Sequence, residues 1–184
     1  PRTADANIII DAFFKNSEIK VIPNENKIIG IAKNNSGGVP ENFANYFVIE
    51  FDRPFKKSGV WDGKGNIISK DRLKGKHVGA YVSFNTEKKE TSIYPPIKMR
   101  ESYNIIEVKV SSSFISHEQA WINLKRELPE NKNFSEILAE GRKSWNNELS
   151  KIKVETKNTA YGISNKTKFY SSFYRTILFP RQFP

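Results

Sequence analysis

A chain of 184 residues, 38% hydrophobic and with thirteen Phe, seven Tyr and three Trp, is long enough to bury one core, or one core and part of a second. It has no Cys, which excludes disulfides, thiolate metal sites and sulfur nucleophiles, and no apolar run reaches the roughly 18 to 20 residues of a helical membrane span. The net charge of +10 favours anionic partners such as nucleic acid, acidic glycans or membrane headgroups, a signal whose worth depends on how the charge is distributed.

The opening "PRTADANIIIDAFF" lacks an initiator Met, a charged leader and an apolar leader core, and reads as the interior of a longer protein. From Ala6 to about Phe114 the chain runs through short apolar or alternating segments bounded by turn residues. These are "NIIIDAFF", "EIKVIP", "KIIGIAK", "NYFVIEFDRPF", "HVGAYVSF" and "YNIIEVKVSSSF", and their spacing predicts an antiparallel β-sandwich. Val78, Ala80, Val82 and Phe84 alternate with polar or small residues, and Ile106, Val108 and Val110 share a face in the last strand; both sets are expected to meet the core. The connectors "PNEN", "NNSGGVPEN", "DGKGN" and the Lys-rich "SKDRLKGK" read as turns, and "NTEKKETSIYPPIKMRES" as a surface excursion.

Helical periodicity begins at Ser116, where a Ser followed by Gln119 fits a capping box. Ala120, Trp121, Leu124 and Leu128 hold a stripe until Pro129 stops it. A second helix is expected from about Ser135, with Phe134 as a staple before the cap, a stripe of Ile137, Leu138, Trp145, Leu149 and Ile152, and a weak middle at Gly141, which costs about 1 kcal/mol relative to Ala. After a short "KIKVE" strand, Phe169, Phe173 and Ile177, flanked by Tyr170, Tyr174 and Leu178, form a third stripe ending at Pro180.

No side-chain constellation stands out as a catalytic site. Asp11, Glu50, Asp52, Asp62, Glu107 and Glu118 fall in strands, turns or a first helical turn, and the sequence does not pair any two of them across a sugar. "DGKGN" has Lys64 where a calcium loop needs a ligand and lacks the distant Glu, so it reads as a tight turn. His77 and His117 have no companion at metal-ligand spacing. Lys70, Arg72, Lys74 and Lys76 form the densest basic cluster; it reads as a solvated loop, and the alternative is four cations on one strand face following a phosphate backbone. Asn34, Asn133 and Asn165 each open an N-x-S/T triplet. Trp121 and Trp145 read as helix-packing residues, and Trp61 as packing or a sugar-stacking platform.

"VKVSSSFISHEQAWINLKREL", "FSEILAEGRKSWNNELSKIKVE" and "KTKFYSSFYRTILFPRQF", in that order, resemble the join between the two domains of glycoside hydrolase family 92, the α-mannosidases. Ser113, Phe114, Ser116, Glu118, Gln119, Ala120, Asn123 and Leu124 carry the first pattern. Trp145, Leu149 and Ile152 carry the second, and Phe169, Tyr170, Tyr174, Leu178, Pro180, Arg181 and Phe183 the third. Upstream, "ANIIIDA", "SGG", "NYFVIEFDRPF" and "VGAYVSF" are similar to that family's sandwich strands.

The resemblance implies a mainly β fold: a supersandwich-like antiparallel β-sandwich at 1–115, a helical linker at 116–160, and at 161–184 the first helix of an (α/α)6 barrel. For the parent protein it implies calcium-dependent, inverting exo-α-mannosidase activity on glycans and a secreted or periplasmic location. The family's acid and base carboxylates and calcium ligands lie in the barrel, beyond position 184, so no catalytic, cofactor-binding or metal residue is carried over to this chain. Val39 stands where the family's "SGGW" has an aromatic, so no sugar contact is carried over there either. The implied partners are α-mannoside glycans, met through the barrel, and the barrel itself, with neither nucleic acid nor a membrane span. The competing readings are a free-standing carbohydrate-binding β-sandwich and, less favoured, a basic nucleic-acid-binding protein.

Overall fold

The computed structural model describes residues 5–13, 16–33, 38–85 and 106–178. The chain divides into two compact units, Pro1–Glu130 and Asn131–Pro184.

In the first unit the described strands are β1 (Asp5–Asp11), β2 (Ser17–Ile22), β3 (Lys27–Ala32), β4 (Asn45–Phe51), β5 (Lys57–Asp62), β6 (Ile67–Ile68), β7 (Arg72–Gly75), β8 (Val78–Asn85) and β9 (Val108–Ser113). They form two antiparallel sheets, of order β1-β8-β5-β6 and β7-β2-β3-β4-β9. The β-sandwich expected from the alternation is therefore present. Between the sheets lie Ile19, Val21, Ile28, Ile49, Phe51, Val60 and the whole predicted row Val78, Ala80, Val82 and Phe84. The rings of Phe51, Phe55 and Phe84 meet at centroid distances of 5.2 to 5.6 Å, a spacing typical of attractive aromatic pairs. Gly30, opposite Phe47, has no room for a Cβ, which would stand 2.2 Å from the Phe47 ring.

Three strands were not expected. "SKDRLKGK" is not all loop: Arg72–Gly75 pairs with β2 as the edge strand β7. Leu73 packs against the core while Arg72 and Lys74 are exposed, and such a short, charged edge resists pairing with a foreign strand. "KSGVWD" and the two residues of β6 form a hairpin around the "DGKGN" turn.

The expectation for β9 fails in part. Ile106 packs against the core, but Val108 and Val110 are 42% and 57% exposed. Val110 lies opposite Ile49 and Val108 opposite Phe51, so they share the core-facing side, at an edge strand of the five-stranded sheet. The other side of β9, with Lys109, Ser111 and Ser113, is the better covered one, because helix α1 (His117–Glu127) packs there.

That packing is built by several contacts. Ser116 Oγ accepts the Gln119 N–H at 3.1 Å and caps α1. The Gln119 side chain does not reach back as a capping box would; its amide donates to Asn123 Oδ1, and Asn123 Nδ2 in turn donates to the Ser112 carbonyl. His117 Nε2 lies 3.0 Å from the Gly30 carbonyl, which can only accept, so this nitrogen carries the proton. Ala120 and Leu124 are buried with Val48, flanked by Ile29 and Trp121, and Lys27 Nζ sits 3.7 Å above the centroid of the Trp121 ring.

In the second unit, α2 (Phe134–Leu149) starts one residue before expected: its cap is Asn133, reciprocally bonded with Glu136 in a capping box, and Phe134 is its first residue rather than a staple before the cap. "KIKVE" forms no strand, because the Tyr170 hydroxyl takes over its backbone, donating to the Ile152 carbonyl and accepting the Val154 N–H. Helix α3 (Ala160–Leu178) begins before the expected stripe. Trp145 meets Tyr174 at 4.6 Å between ring centroids. No residue of α2 is buried, and in α3 only Gly162 is.

Leu124→Ala is expected to destabilise the first unit by about 2 to 5 kcal/mol, since Leu124 is 1% exposed beneath α1. Val110→Thr, at the exposed side of β9, should fall within about 0.5 kcal/mol of the parent sequence. Urea unfolding of the two variants checks both, and a large loss at Val110 would show its face to be packed.

Candidate functional site

The candidate carboxylates are dispersed, and most are engaged in holding local structure. Asp11 accepts the Phe13 N–H at 2.7 Å and lies 3.2 Å from His77 Nε2. Glu50 is 3.7 Å from Lys125 Nζ, which also pairs with Glu130. Asp52 takes two hydrogen bonds from the Arg53 guanidinium. Glu107 accepts the Asp52 N–H through its backbone carbonyl. Glu118 sits in the first turn of α1, where its own N–H and the Ser116 hydroxyl hold its carboxyl below the usual range.

Asp62 organises the β5–β6 turn. Its Oδ1 accepts the backbone N–H groups of Lys64 and Asn66 and its Oδ2 accepts the Asn66 amide, while Gly65 takes the positive φ of 81° that the turn requires. This oxygen set serves a tight turn, as the sequence implied. Among the described residues no three His, Asp or Glu side chains converge to hold a metal ion.

The two histidines differ in role. His117 anchors α1, with its ring edge-on to Tyr46. His77 belongs to a cluster on the outer face of the four-stranded sheet, edge-on to the Trp61 ring at 5.2 Å and beside Asp11. The Trp61 indole lies across Gly79, where a Cβ would stand 2.1 Å from its ring atoms, and its Nε1–H reaches the Ala80 carbonyl at 3.3 Å. Tyr81 lies in the same way across Gly59. The sequence reading singled out Trp61 but missed Tyr81 and the two glycines; the alternation Gly59/Trp61 facing Gly79/Tyr81 was the available signal once β5 was recognised as a strand.

Of the basic cluster, Lys70, Arg72, Lys74 and Lys76 are all exposed, and Arg72 is bound to Glu18 at 2.7 Å. Asn133 is used as a helix cap and Asn165 lies half-buried in α3. Asn34, Pro180, Arg181, Phe183 and the excursion segment 86–102 lie outside the described residues.

Residues 1–98 match the model of the glycosyl hydrolase family 92 N-terminal domain, and residues 119–184 match that of the family's catalytic domain. The chain belongs to glycosyl hydrolase family 92. The N-terminal-domain match ends at residue 98, before β9 in sequence, and the catalytic-domain match begins within α1, whose packing nonetheless places it in the sandwich unit.

Among solved family 92 structures, the inverting mannosidase BT2199 from Bacteroides thetaiotaomicron VPI-5482 is 32% identical with a TM-score of 0.79, over 100% of this chain and 22% of its own. The α-mannosidase BT3965 from Bacteroides thetaiotaomicron, solved with mannoimidazole, is 24% identical over 98% of this chain and 22% of its own, with a TM-score of 0.72. The family 92 glycosyl hydrolase ccman5 is 17% identical over 92% of this chain and 21% of its own, with a TM-score of 0.69. These last two likenesses bear on the fold alone. The chain spans about a fifth of the length of these structures. No curated protein matches it in sequence.

The family 92 chain's Asp62 gives a pH signature. Hydrogen bonds from the Asn66 side chain, then its backbone, hold the Asp62 carboxyl below its ordinary 3.8. A lowered folded value means that the turn's support is present above 3.8 and is lost as pH falls through the lowered value. The amide proton shifts of Lys64 and Asn66 should titrate together with an inflection below 3.8; an inflection at or above it would contradict the bonding described.

Proposed function

We propose that this chain is the N-terminal and linker portion, without the catalytic groups, of an exported, calcium-dependent, inverting exo-α-mannosidase acting on the α-mannosidic bonds of glycans. One observation carries the reading. The chain matches the family's N-terminal and catalytic domain models in order, and it aligns along its whole length with a solved inverting mannosidase at 32% identity.

Inversion needs an acid on the leaving oxygen and a base across the sugar, with their carboxyl groups about 6.5 to 9.5 Å apart so that a water fits between. Among the described candidate carboxylates, Asp52, Asp62, Glu118 and Glu50 are engaged in an ion pair, a turn, a helix first turn and a second ion pair, and no step is assigned to them. Calcium would be needed by the parent enzyme, but the described residues offer it no fitting ligand set. What this chain supplies is scaffold. Its sandwich fixes α1, and its helical hairpin carries the apolar stripe Phe169, Phe173 and Ile177 that the remainder of a helical catalytic domain would cover.

The parent protein is expected to hydrolyse an aryl α-mannoside with β-mannose as the first product by NMR, to lose activity to a calcium chelator and to regain it with added calcium. The 184-residue chain alone should give no turnover. Retention of configuration in the parent, or hydrolysis by the isolated chain, would overturn the proposal.

A further inference from the structure

The outer face of the four-stranded sheet has no role in the chemistry above. Register and alternation bring Ile9 of β1, Tyr81 of β8, Trp61 of β5 and Ile67 of β6 to that face, with Tyr81 beside Ile9 and Ile67 beside Trp61. Gly59 and Gly79 let the two aromatic rings lie down across the neighbouring strands, where any side chain would lift them. The result is a low aromatic floor, flanked by Ile9 at 72% and Ile67 at 69% exposure. At one end stands a polar pair, with Asp11 held by the Phe13 N–H and by His77, and the Asp11 side chain 48% exposed.

We propose that this face is a glycan-binding platform, on which a neutral hexopyranose stacks its C–H face over Trp61 and Tyr81 and offers hydroxyls to Asp11. Apolar surface with a few convergent polar groups is the general form of a small-molecule site. A pyranose is itself two-sided, with an apolar ring face and a polar rim. Charge separates this ligand from the anions that the chain's composition would favour. In a chain of net charge +10, the platform carries a carboxylate and an imidazole, with Lys57 as the lysine among the described strand residues of the same face, a balance that suits an uncharged polyol. The choice of glycan rests on the proposed function, since a parent that trims polymeric mannan gains from holding the polymer.

The test runs the full parent enzyme in native gels with and without branched α-mannan, alongside hydrolysis of a small soluble aryl α-mannoside. The expected result is retardation of the parent by mannan, weakened at least about fivefold in Trp61→Ala and in Asp11→Ala, with aryl-mannoside turnover within twofold of the parent. Ile9→Asn, at an exposed position, should weaken retention by the same order and keeps the test alive if Trp61→Ala fails to fold. Equal retardation of the parent and all three variants, or no retardation of the parent, overturns the platform. So does a fall in thermal stability of the parent with Ile9→Asn at unchanged retention, which would show the face to be covered from within. Retention without aryl-mannoside hydrolysis supports the platform while defeating the proposed function, so the two failures are distinguishable.

Discussion

The seating of α1 on the five-stranded sheet is the contact on which the first unit's architecture turns. A sheet that meets its partner on one side must still hide its other apolar face, and here that task falls to one short helix. Leu124, Ala120 and Trp121 cover Val48 and Ile29, and full burial of a Leu-sized side chain contributes about 1.5 to 3 kcal/mol. The polar contacts then fix where the helix sits: His117 on the Gly30 carbonyl at its start, and Lys27 over Trp121 and Asn123 on the Ser112 carbonyl at its middle. Two of them lie on β3 and one on β9, so the helix is located in direction as well as position.

This arrangement explains why residues that make a recognisable family pattern are structural here. Ser116, Gln119 and Asn123 form a relay from the helix cap to the backbone of β9. Tyr170, from the third pattern, ties its hydroxyl to both sides of the turn at Ile152 and Val154. Each of these polar side chains is committed to holding local geometry.

Much of this was legible in the sequence because period is a strong signal where an element buries one face. β8 alternates cleanly and its expected row is buried, and the stripe of α1 predicts its buried residues. The failures share a cause. Val108 and Val110 alternate as well as any core row, but position at a sheet edge is a property of topology, which periodicity does not encode. β7 was hidden by Lys and Arg, residues that suit an edge strand and a loop equally. The aromatic face was half visible: Trp61 drew attention as a single residue, whereas its pairing with Gly79, eighteen residues on, depends on the register between two strands.

The uneven burial of the two units has a consequence for synthesis. The sandwich and α1 form one compact unit that ends at Glu130, whereas α2 and α3 bury almost nothing among themselves. At about 5 to 20 residues per second, a ribosome delivers the first unit several seconds before the helical hairpin. The early segment can therefore fold as it emerges, while the hairpin appears with Trp145, Tyr174 and Leu178 still facing water. Apolar side chains left on a helix surface in this way are the kind that a chaperone binds on a newly made chain.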